Sequence, residues 1–134
     1  PLAGDEQRPS AETAVHVKLY EKFADVGAIF HVHEIHSALC SAQDLSAGVT
    51  SFESLEMIKG LDIWEADARV CVPIVENFHD IPRLACAVAE AAHDDVPAVM
   101  VCNHGYYAWG KSPSDARRHV ETLAYLYRFS WETR

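Results

Sequence analysis

Ile29-Phe30-His31-Val32-His33 constrains the fold more than any other stretch of this sequence. Read as a β-strand from Gly27 to His33, it alternates its side chains, so Ile29, His31 and His33 face one way and Ala28, Phe30 and Val32 the other. Two imidazoles then face one site. A divalent transition metal needs three or four ligands converging within roughly 2 Å, and the remaining ones must come from elsewhere in the chain. His104, in Val101-Cys102-Asn103-His104-Gly105, is the distant partner. A fold that uses the pair must bring a strand near residue 30 against a turn near residue 104. Three histidines leave one coordination position for water or substrate, which is the arrangement of a catalytic rather than a structural metal. The same residues also read as ordinary half-exposed strand histidines, and the His-x-His pattern alone does not decide between them.

Length and charge narrow the classes. A chain of 134 residues that is 49% hydrophobic can bury one core but not two. Its formal charge of −9 argues against a nucleic-acid surface and against an anionic membrane, leaving a small molecule as the expected partner. The sequence has no run of 18 apolar residues and no charged-then-apolar start, so a cytoplasmic protein is expected. Cys40, Cys71, Cys86 and Cys102 show no C-x-x-C pairing and read as buried free thiols, with Cys102 a further possible ligand two residues before His104. The opening residues 1–9 read as the tail of a turn, with a segment expected upstream.

Along the chain, Ser10 reads as an N-cap and Glu12 as a first-turn acid of a helix over about 11–24. A second helix is expected to begin at Ile35, with His36 as a solvated or capping residue. Phe52, Leu55 and Ile58 form an i, i+3, i+6 stripe that predicts a helix over 50–60, stopped by Gly60, with Glu56 on its flank as a solvated acid unless a metal lies nearby. Arg69 to Val75 reads as a strand that Pro73 would confine to an edge or bulge. Further expectations are a helix over about 81–93, a buried strand over 97–101, a tight turn at Asn103-His104-Gly105 and a returning strand over 106–109. A final helix is capped by Ser112-Pro113-Ser114-Asp115. Helices interleaved with short strands argue α/β or α+β.

Five segments in order then carry a resemblance. Arg-Pro-Ser-Ala-Glu-Thr (8–13), Phe-His-Val-His (30–33), Leu-Glu-Met-Ile-Lys-Gly (55–60), Val-Pro-Ile-Val-Glu-Asn (72–77) and Asn-His-Gly-Tyr-Tyr-Ala-Trp-Gly (103–110) together resemble the class II aldolase family, across nearly the whole chain. The resemblance implies a three-layer α/β/α domain around a mainly antiparallel central sheet. It implies a single domain over 1–134 that lacks the family's N-terminal segment and its phosphate loop. It also implies His31, His33 and His104 as ligands of one Zn2+ per subunit, a small sugar phosphate as substrate, no nucleic acid or membrane partner, and a homotetramer with active sites between subunits.

Two acids compete for the proton chemistry under that resemblance. The family's sugar-phosphate aldolases use the glutamate of Pro-Ser-x-Glu, here Glu12, and its dehydratases that of Glu-Met-Ile-Lys-Gly, here Glu56. The run from Leu55 through Ile63-Trp64-Glu65 is similar to the dehydratase pattern. The implied activity is therefore a lyase of methionine salvage that removes water from a methylthio-ketose phosphate. Ser10 and Lys59 would contact the phosphate. Aldol cleavage or epimerisation through Glu12, or metal binding without catalysis, are the alternatives.

Overall fold

Two hydrophobic clusters, one on each face of a single sheet, set the architecture. The computed structural model describes residues 8–134. Its elements are α1 (Thr13–Lys22), β1 (Ala28–Val32), α2 (Ile35–Asp44), β2 (Val49–Glu53), a 3₁₀ turn (Glu56–Leu61), β3 (Arg69–Val75), α3 (Ile81–Ala91), β4 (Ala98–Val101), β5 (Gly105–Gly110) and α4 (Pro113–Glu132). The five strands lie in the order β1-β5-β4-β3-β2. Only the β3–β4 pair is parallel; β1–β5, β5–β4 and β3–β2 are antiparallel.

Strand alternation sorts the side chains onto the two faces of the sheet, so one domain holds two core layers where its length suggested a single core. Ile29, Val99, Val101, Tyr107 and Trp109 face Val15 and Leu19 of α1 and Leu84, Ala85 and Val88 of α3. Phe52, Val70, Val72, Met100, Tyr106 and Ala108 face Cys40 of α2, Ile58 and Leu61 of the 3₁₀ turn, and Leu123, Leu126 and Tyr127 of α4. This is the expected three-layer α/β/α arrangement around a mainly antiparallel sheet. Ser112 caps α4 by accepting the Asp115 N–H at 3.1 Å, with Pro113 in the first turn, as the sequence predicts.

Several expectations need correction. Residues 50–60 are not one helix: Val49–Glu53 is a strand paired residue for residue with Arg69–Pro73, and only Glu56–Leu61 coils, as 3₁₀. Val49, Thr50 and Phe52 suit a pleated strand, and Ser54 at φ 55° breaks the chain direction between strand and turn. Phe52, Leu55 and Ile58 do share one core, but from two elements. Pro73 is not on an edge strand; it sits where β3 passes from its β2 partner to its β4 partner, and the next N–H, that of Ile74, bonds the Gly48 carbonyl at 2.8 Å. Cys71 and Cys86 are exposed rather than buried. The first helix begins at Thr13, with Glu12 rather than Ser10 in the cap position. Of the opening stretch, residues 1–7 lie outside the described residues.

Candidate metal centre

The strand β1 ends where the turn before β5 begins, and this juxtaposition builds the site. His31 is paired with Tyr107 across β1–β5, and His33 follows directly after β1. The turn carrying His104 is pinned twice: Asn103, at φ 58°, donates its N–H to Ser41 Oγ at 3.0 Å, and the His104 N–H bonds the Val101 carbonyl at 3.1 Å. Gly105 is required at this crossing, because a Cβ there would lie 2.2 Å from the Val32 carbonyl oxygen and 2.9 Å from His33 Cδ2.

The side chains converge through one kind of atom. His31 Nε2 lies 3.1 Å from His33 Nε2 and 3.4 Å from His104 Nε2. The Glu12 carboxylate joins them, with Oε2 3.2 Å from His31 Nε2 and Oε1 3.1 Å from His104 Nε2. Glu12 reaches the cluster because its backbone ends the turn before α1, where its own N–H bonds Ser10 Oγ at 3.3 Å. All four ligand atoms fall within 4.8 Å of one another.

The hydrogens of two of these rings are committed elsewhere. His31 Nδ1–H donates to the Tyr106 carbonyl at 3.2 Å and His104 Nδ1–H donates to Asn77 Oδ1 at 3.2 Å. In the neutral rings that leaves a bare lone pair on each Nε2, pointed at its neighbours and at a carboxylate. Converging lone pairs repel unless a cation lies among them. Nitrogen and oxygen ligands at about 2.0–2.2 Å around a tetrahedral ion stand about 3.3–3.5 Å apart, and the two N···N and two N···O separations of 3.1–3.4 Å lie close to that edge. The donor set therefore fits a divalent metal ion, with imidazole tautomers fixed by outer partners as metal-binding histidines require.

At His31 the electrostatics favour the neutral, ligating form. Burial, with smaller contributions from His104 and His33 and against the opposing pull of Glu12, pushes the His31 imidazole down to about 4. Burial likewise lowers His16, against the pull of Glu12. The Tyr107 ring stacks on His31 with centroids 4.1 Å apart, fixing the ring's orientation, and burial followed by the Glu12 charge raises the Tyr107 phenol.

The other residues singled out from sequence lie elsewhere. Glu56 sits on the 3₁₀ turn in the α2/α4 layer, with its side chain 82% exposed against 24% for Glu12, and it pairs with Lys59 Nζ at 2.5 Å. Within one chain, neither Glu56 nor Lys59 joins the histidines, which face the other layer. Ser10 lies two residues before Glu12 and is exposed. His36 pairs with Glu34 at 2.7 Å outside the cluster, and Cys102 is buried with its Sγ toward the Ser41 carbonyl, which removes it as a ligand. Asn77 has one sequence signal, a polar amide two residues past the end of β3, within the Val-Pro-Ile-Val-Glu-Asn segment. A cleft of about 420 Å³ opens at the other end of β5, lined by Trp109, Asp62 and His119 among others; the metal-ligand chemistry is not there.

The family of class II aldolase and adducin N-terminal domains matches residues 1–131. The chain belongs to this family. Among curated relatives it is 38% identical over 129 residues to methylthioribulose-1-phosphate dehydratase of Persephonella marina, covering 96% of this chain and 60% of that protein. It is 42% identical to the protein of the same name from Methylococcus capsulatus, covering 97% of this chain and 63% of that one. The class II aldolase-like chain thus spans about 60% of the length of the curated relatives it matches. Among solved structures, a putative aldolase/epimerase/decarboxylase from Escherichia coli, YgbL, superimposes with a TM-score of 0.74 at 26% identity, over 96% of this chain and 58% of that one. An L-fuculose 1-phosphate aldolase shares the fold, with a TM-score of 0.74 at 22% identity over 95% of this chain and 55% of that one. Among the described residues no helix is long and apolar enough to cross a membrane.

Proposed function

We propose that the protein is a zinc-dependent dehydratase of methionine salvage, cytoplasmic and homotetrameric, that converts 5-methylthioribulose 1-phosphate to 2,3-diketo-5-methylthiopentyl 1-phosphate. The observation that carries the reading is the convergence of His31, His33 and His104 through Nε2, with the Nδ1 hydrogens of His31 and His104 bonded elsewhere. The shared name of the curated relatives supports the choice of substrate.

Zinc held by the three histidines would supply Lewis-acid stabilisation of the charge that develops on the substrate's C2 oxygen. Glu56 removes the C3 proton. The protonated Glu56 carboxyl then gives that proton to the C4 hydroxyl, which leaves as water, and the resulting enol relaxes to the second ketone. Because Glu56 and the histidines of one chain face different layers, this reading takes Glu56 at each site from a neighbouring copy. Ser10, beside Glu12, and Lys59, beside Glu56, serve as phosphate contacts.

A second reading has its own observation. Glu12 stands 3.1–3.2 Å from two ligating nitrogens, the position from which an acid/base in aldol cleavage or epimerisation would act. Product analysis of the zinc-loaded protein separates the two. Diketone from 5-methylthioribulose 1-phosphate, abolished by chelation and restored by zinc, supports the dehydratase. Dihydroxyacetone phosphate from a ketose 1-phosphate supports the aldolase. Metal at one ion per chain with no turnover of either leaves a metal-binding protein without catalysis.

A further inference from the structure

The segment that carries Glu56 is six residues long, exposed at Glu56 and Met57, and coiled as 3₁₀, a geometry that supports itself poorly. Only Ile58 and Leu61 anchor it in the core. Its orientation comes instead from directional ties to one face of α4. Arg118 Nη1 donates to the Gly60 carbonyl at 2.6 Å, and the guanidinium spans both oxygens of Asp62 at 3.1 Å each. Arg118 Nη2 also bonds Asp115, which Ser112 holds from the α4 cap. His119, with a side chain only 7% exposed, bridges the Trp109 carbonyl at 2.6 Å and Asp62 Oδ2 at 3.2 Å. Thr122 completes the set: a Cβ on Gly60 would lie 2.2 Å from its Oγ1, so glycine lets the turn seat directly on the helix.

Asp62 itself is held at φ 62°, a conformation that non-glycine residues adopt at a cost, and its N–H closes the turn on the Lys59 carbonyl. Three side chains of α4 and a strained aspartate thus converge on six residues whose solvent face carries Glu56 and Lys59. Exposed ion pairs contribute little to stability; a bidentate pair that also grips a backbone carbonyl fixes direction.

We propose that Arg118, His119 and Asp62 form a latch that positions the Glu56–Lys59 face for proton transfer. They act through Glu56 and do not touch substrate. The inference rests on the reading of Glu56 as the base, and the test separates the two. In the zinc-loaded protein, Arg118→Ala and the near-isosteric Asp62→Asn should each lower kcat roughly ten- to a hundredfold through misplacement of the acting group, with bound zinc close to wild type and the rise in KM that comes through Lys59 smaller than the fall in kcat. Arg118→Lys, which keeps the charge but not the fork, should recover only part of the loss. On the residual kcat of Glu56→Gln at saturating substrate, adding Asp62→Asn should bring no further drop, since the base that the latch positions is already gone. Unchanged kcat in both latch variants, or losses that multiply with that of Glu56→Gln, would overturn the latch while leaving Glu56 in place. Normal turnover by Glu56→Gln itself would overturn the reading of Glu56 and the latch with it.

Discussion

At the Gly105 end of β5 two imidazoles turn their hydrogens outward, to Tyr106 and Asn77, and leave bare nitrogens facing one another. At the Gly110 end the opposite holds: Asp62 accepts from Arg118, Asp115 accepts from Arg118 and Ser112, and His119 Nδ1–H donates to the Trp109 carbonyl, with its Nε2 3.2 Å from Asp62. Both clusters mix histidine with carboxylate at similar spacings. What distinguishes them is hydrogen accounting. A cluster whose donors are all matched to acceptors is complete within the protein, whereas one whose acceptors outnumber its donors requires a cation. Residue type alone would have marked both.

The largest effect that can break the contrast is at the histidine end. His31→Ala should reduce bound zinc below stoichiometry and take diketone formation to background, checked by metal analysis and turnover on one preparation; one firmly bound zinc per chain in that variant would remove His31 from the ligand set. Glu56→Gln should keep zinc and lower turnover by roughly 10²–10⁴. Asn77→Ala, which frees the outer hydrogen of His104, should weaken zinc binding by roughly 10–100-fold with the fold intact, measured by competition with a chelator.

Acid separates the two ends more gently. The His31 pKa is depressed to about 4 from an ordinary 6.5, so the metal-free folded state binds fewer protons than the unfolded chain between those values. Its stabilising contribution is complete above about 6.5 and is lost as pH falls towards 4. Asp62 and Asp115 are instead held below the ordinary 3.8, chiefly by the Arg118 guanidinium, and lose their contribution only under that value. The melting temperature of chelator-treated protein should therefore fall between pH 6.5 and 4.5, and His31→Gln should flatten that fall. The smallest effect belongs to the other end. Ser112→Ala removes the α4 cap and one tie to Asp115, costing about 1 kcal/mol, read by denaturant unfolding with zinc content unchanged.

Much of this was legible in the sequence where local chemistry and tertiary packing agree. The alternation of residues 28–33, the Asn103-His104-Gly105 turn and the Ser112-Pro113 cap each specify a local geometry that the fold keeps. The mainly antiparallel, three-layer arrangement followed from the resemblance rather than from periodicity. Residues 50–60 suggest one helix because a stripe at i, i+3, i+6 is also produced by a strand residue followed by a 3₁₀ turn on the same core, and Ser54, which divides them, is not a residue that announces a positive φ. Ser10 was misread as a cap because Pro-Ser-x-Glu resembles a helix start, whereas Glu12 ends the turn and turns inward. The latch had one faint signal: His119 shares the buried face of α4 with Ala116, Leu123 and Leu126, and a histidine there needs partners that only the distant Asp62 and Trp109 supply.

The pairing of β1 with β5 joins Ala28 to Gly110 and His31 to Tyr107. Contacts so distant in sequence close slowly, because the loop between them must be ordered before they form. β4 and β5, by contrast, are joined by a short turn and can zip locally. A metal ion that needs His31 and His104 together thus meets its complete ligand set only after the slowest step of assembly. Such an ion should leave the folding rate nearly unchanged and slow unfolding instead, so that the metal acts in time as a lock fastened after the chain has closed.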